Sequence, residues 1–411
     1  MSIVAQESAA STQPPRIELA EIFTRYADAY CDTHHVTPGQ RKVMRAIVSC
    51  RTAALGGHRE WCQRCGYERY LYHSCRNRHC PKCQSLAKAS WLSDRQRELL
   101  PVPYFHNVFT LPHEFNALIL WNEENQRALL SLLFQAASQT LLEFGKNNLG
   151  GKTGFTMVLH TWDQQLRPHF HLHVLIASGA LAEDGSRWIA GGSKYLFHVR
   201  ALSKVFRAKF LDGLVSLIQQ KKIVVPSDLA TKAAPGIRVG WLRRLRRKPW
   251  VVYSKQPFAG PRKLLDYLGR YTHRVAISNH RIVSCNNGQV SFTYRDRRDG
   301  NCVKTTEITT EEFISRFLKH TLPSRFLRIR HYGFLANRVK RQSLKQCRDL
   351  LGAASPVSEE ESPQTIADWM QLLLGMDITC CPKCGSALHQ EYVPPCPDAV
   401  RGHRQRNCRD P

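Results

Sequence analysis

Residues 159–181 read LHTWDQQLRPHFHLHVLIASGAL. Side chains alternate across a strand, so His169, His171 and His173 project to one side while Phe170, Leu172 and Val174 project to the other. The preceding run GFTMVLHTW has the same extended, β-branched and aromatic texture, and the polar DQQLRP between them predicts a turn. Paired antiparallel, the two strands bring His160 to the patch that holds His171 and His173. Three imidazoles on one sheet face, with coordination positions left open, describe a catalytic metal site rather than a closed structural one. A merely solvated strand face is the alternative. A His-hydrophobic-His run with a further histidine eleven residues upstream argues against it. His169, directly after Pro168, stands at the strand's start and is the least suited to reach the ion.

Outward from this pair, YFHNVFTLP reads as a strand, FNALILWNEENQRALLSLLFQAASQTLLEFG as one amphipathic helix or a broken pair, and VRALSKVFRAKFLDGLVSLIQQ as a helix. WVVYS is a strand, PRKLLDYLGRYTHR a helix with Pro261 in its first turn, and residues 275–309 a β-meander turned at NNG and RDG. The order predicts an α+β domain with a largely antiparallel sheet and helices on one face. The chain divides into a disordered tail (1–15), a helical cysteine-rich domain (16–102), the sheet domain (103–308), a basic helical extension (309–351), a linker (352–366) and a C-terminal CxxC segment (367–411).

Of 15 cysteines, seven lie between Cys31 and Cys83, none between Gln84 and Ser284, and five between Cys380 and Cys408. Clustering of this kind in a reducing compartment points to metal sites rather than disulfides. Cys62-x-x-Cys65 and Cys80-x-x-Cys83 are two knuckles whose spacing predicts one four-sulfur zinc site. Cys50, His58, Cys75 and His79 are left over nearby; they form a second zinc site, or Cys75 and His79 buttress the first or touch phosphate. Cys381 and Cys384 repeat the knuckle, with partners open among Cys380, His389, Cys396, His403 and Cys408.

Lysine and arginine outnumber aspartate and glutamate by 59 to 33, a net charge of +26 that calls for a polyanionic partner, nucleic acid first. No apolar run of membrane-spanning length and no secretory signal appears, so the expectation is a cytoplasmic protein with no membrane partner. The tract WLRRLRRKPWVVYSK interleaves Arg243, Arg244, Arg246, Arg247 and Lys248 with Trp241 and Trp250, the mix of phosphate neutralisation and base stacking expected along a single strand. Tyr267 and Tyr271 lie one helical turn apart, followed by Arg270 and Arg274. With Leu264 they also fit a core stripe. Beside a metal and cations, a tyrosine hydroxyl becomes a feasible nucleophile toward a phosphodiester.

SCRNRHCPKC, LHTW followed by HLHVLI, YLGRYTHRVAISNHR and RIRHYGFLANR together resemble the paired-tyrosine HUH transposases of rolling-circle insertion sequences, the insertion-sequence ninety-one family, over about residues 20–350. The resemblance implies an HUH-endonuclease-like antiparallel sheet with helices, preceded by a helical zinc-binding domain; the CxxC at Cys381 and Cys384 adds, from the residues themselves, a small C-terminal zinc-knuckle-like segment. It implies His171 and His173 as the HUH pair, or His169 and His171 in the other register, His160 as third ligand, and Tyr267 and Tyr271 as nucleophiles. The activity implied is a single-strand DNA endonuclease and strand transferase that forms a 5′-phosphotyrosine on transposon ends and passes it to target DNA. Its ion would be Mg²⁺ or Mn²⁺, beside structural Zn²⁺. A replication initiator or a conjugative relaxase shares that nuclease core. A non-catalytic zinc-finger DNA-binding protein would leave the histidine strand idle. No GxxxxGK[ST] motif indicates an attached helicase, and acidic residues between 150 and 300 are too few for a carboxylate-based transposase.

Overall fold

The two strands of the opening stretch lie side by side inside a five-stranded antiparallel sheet, in a computed structural model that describes residues 17–226, 235–255, 276–296, 299–353, 365–375 and 377–400, with Lys263 and Gly269. Along the chain the strands are β1 Gly57–Trp61, β2 Glu68–Tyr72, β3 Tyr104–Thr110, β4 Gly151–Lys152, β5 Gly154–Trp162, β6 Pro168–Ala177, β7 Gly179–Ala182, β8 Trp188–Ala190, β9 Val252–Lys255, β10 Ile282–Asn286, β11 Gln289–Asp296, β12 Cys302–Thr309, β13 Ile329–Gly333 and β14 His389–Val393. The large sheet runs β13-β5-β6-β3-β9. The architecture is α+β, as the element order predicts.

Alternation gives this sheet two unlike faces. Phe105, Phe109, Phe155, Met157, Leu159, Phe170, Leu172, Val174 and Ile176 are buried in one core with the helices Glu123–Phe144 and Val199–Gln219. The first of these follows Asn122, whose side chain accepts the Asn125 N–H, so the long helical run is a broken pair with a capped start. The other face carries the histidines at one end. At its far end Tyr104, Leu175 and Ala177 pack with Leu100, Phe334, Leu344 and Cys347, partly from the helix Lys340–Leu350. Helices therefore cover both faces, where the sequence predicts one.

Two further differences concern segments distant in sequence. The basic extension 309–351, read as helical, also supplies β13, which pairs antiparallel with β5 at the sheet's edge. Its alternation puts Tyr332 on the Phe155 ring, 5.5 Å between centroids. The meander β10-β11-β12 forms its own sheet, with Asn287 and Gly288 both at positive φ in the tight β10–β11 turn. Its Val290 and Phe292 share a core with Phe23 and Ile47 of the N-terminal helices Leu19–Thr33 and Pro38–Val48, and with Phe313 and Phe317. The cores therefore do not divide at residues 102 and 308.

That second core also holds the β5–β6 turn. Leu166 is fully buried in it at a φ of 61°. Arg281 donates to the Gln164 carbonyl, Arg316 to Gln165, and His320 to Leu166. Leu166→Ala is expected to cost about 2–5 kcal/mol, the usual range for a buried leucine. Urea unfolding checks this, and a loss below about 1 kcal/mol would show that the turn does not depend on that anchor.

Candidate functional site

β5 and β6 pair with His160 opposite His171 and Val158 opposite His173. The ring nitrogens of His160, His171 and His173 offer three ligand atoms within 4.8 Å of one another. The Nε2 atoms of His171 and His173 are 3.1 Å apart. His160 and His173 are buried and His171 half-buried, so His171 is the member of the group nearest solvent.

The outer nitrogens are held as well. His171 Nδ1 is 2.9 Å from the His169 carbonyl, which can only accept, so the proton sits on Nδ1 and the Nε2 lone pair faces inward. His169 thus contributes its backbone and is not in the ligand group. His173 Nδ1 lies 2.8 Å from Nε2 of His106, a buried residue of β3 in a nearly coplanar ring pair. Burial holds His106 down to about 4, so it is neutral at physiological pH and can accept from His173. His106 escapes notice in the sequence because YFHNVFT reads as an ordinary buried strand and only the register places it beside His173. His160 is stacked on Trp162, two residues along the same strand face, at 5.2 Å. Three imidazoles, two of them with the Nε2 lone pair turned inward, fit a divalent cation.

The cysteines group differently from their spacing. Cys62 and Cys65 do not join Cys80 and Cys83. One cluster is Cys50, Cys75, Cys80 and Cys83, and the other is Cys62, Cys65, Cys381 and Cys384. In the first, Sγ separations of 3.4 Å (Cys50–Cys83) and 3.6 Å (Cys75–Cys83) are near the roughly 3.8 Å edge of a tetrahedral ZnS₄ site. Backbone N–H groups of Cys75 and Asn77 donate to the Cys50 and Cys75 sulfurs. Hydrogen bonds from Cys75 and Cys80 hold the Cys50 thiol down at about 2, and the resulting thiolate pushes Cys75 up to about 12. The leftover histidines are in neither cluster. His58 lies against the rings of His73 and Tyr392, at 5.2 and 6.1 Å, because β1 turns it to the other side of its sheet from Arg59 and Trp61. Burial and the nearby Arg78 and Arg328 hold His79 down at about 3.

The family described as transposase zinc-binding domain matches residues 22–111, and that described as putative transposase matches residues 154–343. A putative transposase, y4qJ, of Sinorhizobium fredii is 47% identical over 371 residues, covering 89% of this chain and 92% of that protein. The transposase for insertion sequence element IS801 of Pseudomonas savastanoi pv. phaseolicola is 29% identical over 349 residues, with coverages of 83% and 81%.

The chain belongs to the IS91 family of transposases.

Among solved structures, the conjugative relaxase TrwC in complex with mutant oriT DNA is 18% identical over 27% of this chain and 43% of that chain, with a TM-score of 0.20. In this IS91 transposase the zinc-binding domain and the four-sulfur clusters support structural zinc. Among the described residues no helix is long and apolar enough to cross a membrane.

The remaining sequence-derived residues fare unequally. Arg243, Arg244, Arg246, Arg247 and Lys248 are exposed, on or just after the helix Pro235–Arg247. Arg246 is paired with Asp212 at 2.8 Å and Lys248 with Glu114 at 2.7 Å. Trp250 is not available to a base. It is 3% exposed, packs edge-on to Phe115, Phe206 and Phe210, and donates its Nε1–H to the Leu245 carbonyl. Trp241 is also drawn toward that core, 5.7 Å from Phe115. An aromatic among arginines can serve either role, and the apolar surface of Leu245 and its neighbours takes these two inward. Tyr267, Tyr271, Arg270 and Arg274 lie outside the described residues. Gly269, between the tyrosines, is buried, and a Cβ there would come 2.7 Å from Leu92 of the helix Gln84–Glu98.

The histidine site rests on titratable support. His320 donates to Leu166 and lies 3.2 Å from the Thr161 hydroxyl, next to His160 in sequence. Burial holds it down to about 4 from its ordinary 6.5. Burial likewise takes His331, between Thr156 and Arg95, down to about 3. A depressed histidine favours folding fully above its unfolded value. That contribution is lost as pH falls from about 6.5 through the folded value. His320 alone is expected to cost on the order of 3 kcal/mol by pH 4. Urea midpoints at pH 7, 5 and 4 should fall, and His320→Gln should flatten the fall; an identical slope in the variant would remove His320 as a cause.

Proposed function

We propose that this IS91 transposase cuts and rejoins single-stranded DNA at insertion-sequence ends by metal-dependent tyrosine transesterification, in rolling-circle transposition. The observation that supports it most is the convergence of His160, His171 and His173 at one end of one sheet face. A polar strand face with no common target would not align three ring nitrogens while fixing outer ones through the His169 carbonyl and His106.

When bound there, Mg²⁺ or Mn²⁺ supplies Lewis-acid polarisation of the scissile phosphate. Imidazole donors alone would suit zinc. The hard phosphate oxygen that must be accommodated during reaction favours the harder ions. The hydroxyl of Tyr267 or Tyr271 attacks phosphorus. An O–P bond forms to the tyrosine as the bond from phosphorus to the 3′ oxygen breaks, and that oxygen leaves as a 3′-OH. The 5′-phosphotyrosine keeps one phosphoester for each one broken, so a later 3′-OH, from the transposon or from target DNA, displaces the tyrosine without ATP. Two tyrosines let one site hold one end while working on another. The exposed Arg243, Arg244 and Arg247 suit the DNA backbone, and with Arg270 and Arg274 would line its path. Such an enzyme works in the cytoplasm, held to the nucleoid through DNA.

The test is a denaturing gel of purified protein with labelled single-stranded insertion-sequence end DNA and Mg²⁺ or Mn²⁺. A covalent adduct is expected with wild type. His171→Ala should lower it by about 10²-fold or more, the several kcal/mol that a polarising ion contributes. Tyr267→Phe/Tyr271→Phe should abolish it, and the single variants then order the tyrosines. Tight DNA binding with no adduct on any cognate end would leave a DNA-binding protein without this chemistry.

A further inference from the structure

The C-terminal segment is held to the body of the protein by almost nothing apolar. Among the described residues from Thr365 to Val400, none belongs to any of the three hydrophobic cores, and Cys381 is the one buried apolar side chain. Four of the five residues of β14 are exposed. Even so, β14 pairs antiparallel with β1 over its whole length, from Gly57 opposite Val393 to Trp61 opposite His389. Among the described residues the other contacts are few: His389 stacks on Trp61, Tyr392 meets His58 edge-on, Glu391 is 3.8 Å from Arg59, Arg69 donates to the Ile378 carbonyl and Cys396 N–H to that of Ala53. A five-residue strand with no buried face is not expected to stay docked in water on these and its backbone bonds alone.

The sulfurs supply what the apolar side chains do not. Cys62 Sγ is 3.4 Å from Cys384 Sγ and Cys65 Sγ is 3.6 Å from Cys381 Sγ. All four are free thiols and lie within 4.8 Å of one another. The two knuckles are copies of one turn. Gly66 N–H donates to the Cys62 carbonyl at 3.0 Å and Gly385 N–H to the Cys381 carbonyl at 2.9 Å. Cys62 N–H meets the Tyr67 carbonyl and Cys381 N–H the Ser386 carbonyl, at 2.8 and 2.7 Å. Both glycines sit at positive φ, +68° and +72°, with open space where a Cβ would be, so the turn and not packing requires them. Each knuckle adjoins a strand of the same three-stranded sheet, β14-β1-β2. Two matched knuckles facing each other beside a small sheet make a closed tetrahedral thiolate site. Here one half comes from residue 62 and the other from residue 381.

We propose that Cys62, Cys65, Cys381 and Cys384 bind a single zinc ion that closes a zinc ribbon split between the two ends of the chain, and that this ion docks the C-terminal segment onto the N-terminal domain. The matched family regions end at residues 111 and 343, so the second half of the site lies beyond both. Metal binding and docking are one event, because the four thiolates come together only when β14 is seated and little else holds it there. The proposal rests on the zinc reading of the clusters. It adds which thiols share an ion and what that sharing does.

The experiment uses the full chain purified with zinc, and reads metal content by mass spectrometry and exposure of the segment by trypsin cleavage after Lys383. Wild type is expected to hold two zinc ions per chain and to resist cleavage there. Cys62→Ser/Cys65→Ser and Cys381→Ser/Cys384→Ser should each remove one ion and speed that cleavage at least about tenfold. The fourfold variant should lose no more zinc than either double variant. Acceleration at Lys383 by a change more than three hundred residues away is the reading that a local defect would not produce. Replacement by Co²⁺ should give the charge-transfer absorption of two four-thiolate sites in wild type and of one in each double variant. If the C-terminal double variant keeps both ions, or the N-terminal one leaves Lys383 protected, the shared site is wrong. If wild type binds no zinc, the zinc reading itself fails.

Discussion

The register of β5 against β6 is the constraint on which the site depends. His160 faces His171 and Val158 faces His173. Because side chains change face at every residue, a slip of one position on either strand would turn its histidines into the phenylalanine and leucine layer and bring leucines out. The burial of Leu159, Phe170, Leu172 and Val174 against two long helices makes that slip expensive. The same apolar residues that build the core therefore aim the imidazoles. His106 is aligned by the equivalent pairing of β3 with β6 and meets His173 Nδ1.

The turn that closes this hairpin couples the histidine face to the rest of the chain. Leu166 lies in a core that also contains Cys50, Cys80 and residues of the N-terminal helices and the meander. Carbonyls of Gln164, Gln165 and Leu166 take hydrogen bonds from Arg281, Arg316 and His320. The first cysteine cluster and the histidine site are thus two ends of one packed unit. The zinc-binding domain acts structurally on the place where the strand reverses, and Arg78 extends the link by donating to the carbonyls of Leu322, Pro323 and Phe326.

Much of this was legible in the chain because the signals are local. Alternation over GFTMVLHTW and HFHLHVLIA predicts the strands and the shared histidine face, and NNG predicts the turn between β10 and β11. The knuckles are legible as knuckles for the same reason. Their partners are not, since spacing within 62–83 favours the nearest pair while the folded chain puts Cys50 and Cys75 on one knuckle and Cys381 and Cys384 on the other. Trp250 shows a similar failure: arginine-rich surroundings describe one side of a helix, whereas packing against Phe115, Phe206 and Phe210 decides the tryptophan.

Sequence by itself determined the fold class, the residue types of the site and the membership of the IS91 family, all carried by short periodic patterns and collinear motifs. Tertiary structure decided which thiols meet, that His106 stands behind His173, that β13 closes the edge of the histidine sheet and that the two ends of the chain share one small sheet. The physical reason is range: dihedral preference and side-chain alternation act over a few residues, while strand register and sulfur–sulfur proximity join positions hundreds apart and exist only once the chain has packed.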